Sequence, residues 1–248
     1  YGCGWWHASE INFLCWFCGN ALRYWRLSLG CNPLNKIEIA KPKSPVQELL
    51  SETNSALLVI DMQNDFCAED GFVASIGLDP APCREIVPNL QALIDNARKQ
   101  EIPVLWALAN YDDALVPPTF RRRKEVAGIQ RDCCVPGTEG YEPFGVHPAD
   151  GEPCFVKHSY SAFTNPDFEE YLRDQKIETL VFAGVQTNVC VEATIREAFN
   201  RGFHVVVAED CVASHTQQLH EATLQNVRVL LGCVSPSSEI EEAWEARA

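Results

Sequence analysis

Ala56-Leu57-Leu58-Val59-Ile60, followed at once by Asp61, is the stretch on which the reading of the fold turns. Five apolar residues without a polar break leave no face for water, the pattern of a parallel strand covered on both sides. The same grammar repeats downstream. Residues 87–100 carry Leu90, Leu93, Ile94 and Ala97 at helical spacing, with Pro88 suited to a first turn. Pro103-Val104-Leu105-Trp106-Ala107-Leu108 predicts a second strand, and a long loop over about 110–150, rich in Pro, Gly and charge, has the length that shapes active sites. Cys154-Phe155-Val156 predicts a third strand, 167–175 a helix led in by Asn165-Pro166, and Thr179-Leu180-Val181-Phe182-Ala183 a fourth strand. A helix over 189–201 ends at Gly202, His204-Val205-Val206-Val207-Ala208 is a fifth strand, 216–226 a last helix and 227–231 a sixth strand. Strands alternating with helices imply an α/β fold. The expected form is a Rossmann-like three-layer sandwich, a mostly parallel six-stranded sheet with helices on both faces and right-handed crossovers.

Upstream of this pattern the composition changes. Residues 1–31 hold four of the six tryptophans and four of the twelve cysteines, with no helical or strand period. They read either as a structured extension or, since no Met opens the chain, as residues preceding the true protein. Pro33, Pro42 and Pro45 among lysines mark 32–50 as a linker. Residues 1–50 are therefore assigned as extension and linker, and 51–248 as one domain, a size that buries a substantial core.

The net charge of −14 argues against a nucleic-acid partner, because Arg121-Arg122-Arg123-Lys124 is the only basic run and suits a solvated loop or a small anion. The cysteines lack a disulfide framework, and Cys15-x-x-Cys18 has no second pair to complete a zinc site. Free thiols in a reducing cytoplasm are expected. The apolar segment 11–21 is broken by Asn12, Gly19 and Asn20 and is too short to span a bilayer, so no membrane partner is expected.

In open α/β sheets ligands bind beyond the carboxyl ends of the strands, near the switch in strand order. Asp61 follows the first strand, Lys157 the third, and Cys190 the fourth with its turn, at the start of a helix. A helix N-terminus favours a thiolate, and its free N–H groups can receive an oxyanion. The plain alternative for Cys190 is a small buried apolar residue. Asp61 could take the thiol proton or cap a turn, and Lys157 could anchor the Asp or sit as a surface charge. Their shared position at strand ends favours the joint chemical reading.

Three segments carry a resemblance. Leu58-Val59-Ile60-Asp61-Met62-Gln63-Asn64-Asp65-Phe66 resembles the first motif of the isochorismatase-like cysteine hydrolases. Lys157-His158-Ser159-Tyr160-Ser161-Ala162-Phe163 is similar to the family's lysine motif, and Gly184-Val185-Gln186-Thr187-Asn188-Val189-Cys190-Val191 resembles its nucleophile motif. Order and spacing match from about Ser55 to Ser235. The resemblance implies a catalytic triad of Asp61, Lys157 and Cys190. It also implies a non-proline cis peptide at Val185–Gln186, placing an N–H beside that of Cys190 for an oxyanion. A thioester intermediate and a homo-oligomer (dimer or tetramer) follow from the same resemblance, and no cofactor is expected.

Members of the family differ in ways that bear on substrate. Nicotinamidases carry an Asp-x-His metal motif after the second strand, where this chain reads Asn110-Tyr111-Asp112, so no metal is expected. True isochorismatases cleave a vinyl ether and lack the nucleophilic Cys, whereas Cys190 is present. The motifs are most similar to the ureido and carbamoyl amidohydrolases, such as the ureidoacrylate, biuret and N-carbamoylsarcosine enzymes. The expected function is a cysteine-dependent amidohydrolase that cleaves a C–N bond of a small ureido, carbamoyl or carboxamide compound and releases ammonia. Alternatives are a catalytically silent binding or assembly protein of this fold, or a nicotinamidase-like or isochorismatase activity. A cysteine redox protein fits less well, since Cys190 has no resolving Cys nearby in sequence. Asn64, Phe66, Asn110, Tyr160 and Phe163 are candidate substrate contacts, with Phe66 and Phe163 equally suited to the core. One of Arg121 to Arg123 could hold a substrate carboxylate.

Overall fold

The structure is a computed structural model that describes residues 44–247. The expected Cys15-x-x-Cys18 pair, the Trp-rich segment and most of the linker lie outside the described residues. Six strands form one sheet: β1 (Ser55–Ile60), β2 (Val104–Ala109), β3 (Cys154–Lys157), β4 (Thr179–Val185), β5 (His204–Ala213) and β6 (Cys233–Ser235). Their order is β3-β2-β1-β4-β5-β6, and every pairing is parallel. The helices are α1 (Pro45–Glu52), α2 (Asn64–Cys67), α3 (Phe72–Ser75), α4 (Ala81–Glu85) and α5 (Val87–Lys99) in the first half. The second half adds α6 (Pro118–Val126), α7 (Pro166–Asp174), α8 (Glu192–Asn200), α9 (Gln217–Asn226) and α10 (Ser237–Glu245).

The unbroken apolar run of β1 is explained by the two cores it separates. Leu57 and Val59 point to one face, where Leu90, Leu93 and Ile94 of α5, Val46 and Leu50 of α1, and Trp244 of α10 cover them. Ala56, Leu58 and Ile60 point to the other, against Phe168 and Leu172 of α7 and Ile195 and Ala198 of α8. Each large side chain so buried contributes about 1.5–3 kcal/mol. The fold class is thus the three-layer α/β sandwich expected. The chain steps from β1 outward to β3, then returns across β1 to β4, so the switch point lies between β1 and β4.

Four local expectations change. Residues 227–231 form a π-helical turn that prolongs α9, and the sixth strand is Cys233–Ser235 instead. Val229 and Leu230 are 65% and 62% exposed, so this apolar run is not a strand buried on both faces. Pro45–Glu52, read as linker, is a helix with a capping box between Ser44 and Gln47, and its Val46 and Leu50 are buried. That Ser-x-x-Gln signal was present in the sequence. The loop over 110–150 contains α6, which buries no residue and so carries no amphipathic period. Residues 216–226 are not the last helix, because α10 follows with Ile240, Ala243 and Trp244 inward. Among the described residues no helix is long and apolar enough to cross a membrane.

Candidate active site

Asp61 leaves β1 with φ +52°, a left-handed backbone that Asp tolerates better than most residues, while its N–H still donates to Ala107 O in the ladder. Lys157 is the last residue of β3, and Cys190 lies in the π-helical turn Thr187–Val191 between β4 and α8. All three are buried. Lys157 Nζ donates to Asp61 Oδ2 at 2.8 Å, to the Tyr111 hydroxyl at 2.9 Å and to Ser159 O at 3.3 Å, which uses its three protons. The Tyr111 hydroxyl lies 3.4 Å from Cys190 Sγ, closing the cluster. Asp61 Oδ1 is buried without a hydrogen-bond partner among the described residues. Cys190 is close enough to the same carboxylate for each group to shift the other's titration.

Burial raises the Asp61 pKa, opposed by the Lys157 charge. For Lys157 burial pulls down, but the Asp61 carboxylate and Cys190 outweigh it, so the ammonium is retained. Burial and then the Asp61 charge push the Cys190 thiol up to about 12, with Lys157 offsetting only part. The resting site is therefore a carboxylate–ammonium pair beside a neutral thiol, not the preformed thiolate expected from a helix N-terminus. Burial likewise keeps Tyr111 a phenol. Such a site suits attack by sulfur coupled to proton transfer onto the carboxylate.

Tyr111 was missed by sequence reasoning. It stands two residues beyond β2, and the strand-end rule applied to that strand would have found it. Its ring also lines a cavity of about 230 Å³ with Phe66, Phe72, Phe120, Cys133 and Tyr160. Of the expected contacts, Phe66 and Tyr160 reach this cavity and three do not. Asn64 donates its side-chain amide to Glu139 O, Asn110 Oδ1 accepts from Asp112 N in a local turn, and Phe163 packs edge-on against Phe168 and tilted against Phe203 in the core. Each satisfies a structural need with the group that was assigned to substrate.

The basic run resolves into different roles. Arg121 donates to Asp113 O, Arg122 pairs with Glu125, and Lys124 with Asp113 and Asp132. Arg123, at the cavity edge, has no ion pair among the described residues. Asp65, Cys133 and Cys134 have donor atoms within 4.8 Å of one another and are the described residues that could group around a metal. The Asp65 carboxylate, however, already accepts from Phe72 N, Cys134 N and Arg131. The Val185–Gln186 peptide is cis, as the resemblance implied.

A doubly wound parallel sheet with a buried carboxylate, ammonium and thiol brought together beyond the carboxyl ends of its strands defines the class, an α/β protein with a site built for nucleophilic catalysis. Residues 55–239 match the isochorismatase domain, and the chain belongs to the isochorismatase family. It is similar to ureidoacrylate amidohydrolase RutB of Methylobacterium radiotolerans, 28% identical over 219 residues that cover 83% of this chain and 85% of the relative. For RutB of Variovorax paradoxus the identity is 32% over 213 residues, covering 78% and 82%. Among solved structures, an isochorismatase-like hydrolase from Alkaliphilus metalliredigens superposes with TM-score 0.64 at 26% identity, over 77% of this chain and 97% of that one. Nicotinamidase PncA from Bacillus subtilis gives 0.63 at 29% identity, over 73% and 99%.

Proposed function

We propose that the protein is a cysteine amidohydrolase that cleaves the C–N bond of a small ureido or carbamoyl compound and releases ammonia. The observation that carries the proposal is the buried Asp61–Lys157–Tyr111–Cys190 cluster, in which a charged base stands beside a neutral thiol. Asp61 takes the Cys190 proton as sulfur attacks the carbonyl carbon, and Lys157 keeps the carboxylate charge compensated. Backbone N–H groups of the Val185–Gln186–Cys190 segment receive the oxyanion. As the C–N bond breaks, Asp61 returns the proton to the leaving nitrogen. Water, deprotonated by Asp61, then opens the thioester, and the thiol recovers its proton.

The ureido reading is supported by the RutB relatives and by Arg123, a cation free to meet a substrate carboxylate at the cavity edge. A second reading, an aromatic carboxamide, is favoured by the aromatic walls Phe66, Phe72, Tyr111, Phe120 and Tyr160. Ammonia release from ureidoacrylate, biuret, N-carbamoyl amino acids and nicotinamide separates the two. The highest kcat/KM is expected for a ureido acid, and Arg123→Gln should raise its KM about tenfold while leaving nicotinamide unaffected. Nicotinamide as the best substrate would overturn the ureido reading. Wild-type turnover by Cys190→Ser would remove the thiol from the mechanism altogether.

A further inference from the structure

The turn that carries Cys190 is held by side chains that the reaction does not consume. Gln186, the residue at the carboxyl end of β4, accepts Val189 N–H at 3.0 Å and Val191 N–H at 3.2 Å on its main-chain oxygen. The residues on either side of Cys190 thus hang from one carbonyl. The Gln186 side chain is itself fixed at both ends. Its Oε1 accepts from the His215 backbone N–H at 3.2 Å, and its Nε2 donates to Cys83 Sγ at 3.3 Å. The amide can take only this orientation, because the His215 N–H is a donor and demands the oxygen.

The next two side chains are anchored as well. Thr187 Oγ1 is 2.9 Å from His220 Nδ1, and Ser214 Oγ donates to Asn188 Oδ1 at 2.5 Å. Ser214 and His215 follow β5 and His220 lies in α9, whereas Cys83 comes from α4. Cys83 is fully buried, next to Cys67 and 4.0 Å from the His215 ring, whose Nδ1 also meets Asp79 O. The Cys67 thiol first, and His215 after it, draw the Cys83 thiol down to about 5 against the effect of burial. A thiolate accepts an amide N–H more strongly than a thiol does.

We infer that Cys83 is a positioning residue for the nucleophile: through the Gln186 side chain it fixes the turn that aims Cys190 at the substrate carbonyl. This rests on the assignment of Cys190 as nucleophile. A fully buried cysteine would otherwise serve packing alone, and packing predicts a loss of stability without a selective loss of rate.

The test measures ammonia release with whichever amide of the panel above the wild type hydrolyses best. Cys83→Ala should lower kcat about tenfold to a hundredfold, with KM within about twofold and Tm little changed, because the reacting atom is misplaced while the pocket stays intact. Cys83→Ser, which restores an acceptor, should recover most of the rate. Gln186→Met, which keeps the length of the side chain and removes both bonds, should match Cys83→Ala, and the double variant should be no worse than either. If Cys83→Ala does not fold, Gln186→Met reads the same bond from its other end. A wild-type kcat in Gln186→Met, or losses that add in the double variant, overturns the inference. Cys190→Ala is run in parallel: activity in that variant sinks the nucleophile assignment itself, whereas its inactivity beside a Cys83→Ala protein with wild-type kcat sinks the clamp alone.

Discussion

With its thiol pushed up to about 12, Cys190 does not rest as a thiolate, so the proposed reaction has the Asp61 carboxylate take the proton during attack. The pH dependence follows with a definite sign. Asp61 must be deprotonated to act, and its pKa is raised, so kcat/KM should fall as pH drops through a value above the usual carboxylate range. Going up in pH, no further rise is expected near 8.5, where a free thiol would ionise. A kcat/KM profile whose main limb lies near that value would contradict the carboxylate-as-base arrangement. Tyr111 is tested separately. Its hydroxyl joins Lys157 to Cys190, and Tyr111→Phe leaves one Lys157 proton without an acceptor in a buried site. The variant should lose about tenfold in kcat, in line with a missing buried hydrogen bond of roughly 1–3 kcal/mol. An unchanged kcat would reduce Tyr111 to a wall of the cavity.

Elements position these residues in different ways, and the less regular ones were the harder to foresee. α6 has no buried residue and no apolar period, yet it brings Phe120 and Arg123 to the cavity and interrupts what composition marks as loop. α1 shows the opposite case. Its sequence lies among prolines and lysines, but Ser44 caps it, and Val46 and Leu50 pack into the core shared with α5 and α10. We propose accordingly that the domain includes α1. Leu50 is fully buried, so Leu50→Ala should cost about 2–5 kcal/mol and lower Tm without changing KM. Denaturant unfolding measures this directly. A loss below about 0.5 kcal/mol would mean that α1 only rests on the domain.

Across the whole molecule the decisive place is the crossing of β1 and β4, where strand order reverses and Asp61 stands beside the segment leading to Cys190. Gly184 pairs with Ile60 there, with φ +105°, and a Cβ on it would stand 2.1 Å from Ile60 O. Only glycine accepts both the conformation and the approach. Gly184→Ala should therefore cost at least about 2 kcal/mol, or prevent folding, and any folded fraction should be inactive because the two strand ends are pushed apart. A stable and fully active Gly184→Ala protein would show that the crossing has more slack than its contacts allow.

The alternation of buried apolar runs with helical periods determined the α/β class from sequence alone, because strands covered on both faces leave no polar positions. Asp61 and Lys157 were legible as candidates for a related reason, since each is a charged residue where an apolar strand ends. Cys190, in the turn beyond β4, was picked out from eleven other cysteines by its motif and its place before a helix. What the chain could not reveal locally depends on contacts between distant segments. The cavity face of Phe66 and Tyr160, the capture of Asn64 and Asn110 by backbone groups, and Tyr111 between Lys157 and Cys190 are all of this kind. So is the state of the thiol. A helix N-terminus favours the thiolate, but complete burial beside a carboxylate outweighs it, and that burial exists only once the sheet and its helices have closed over the site.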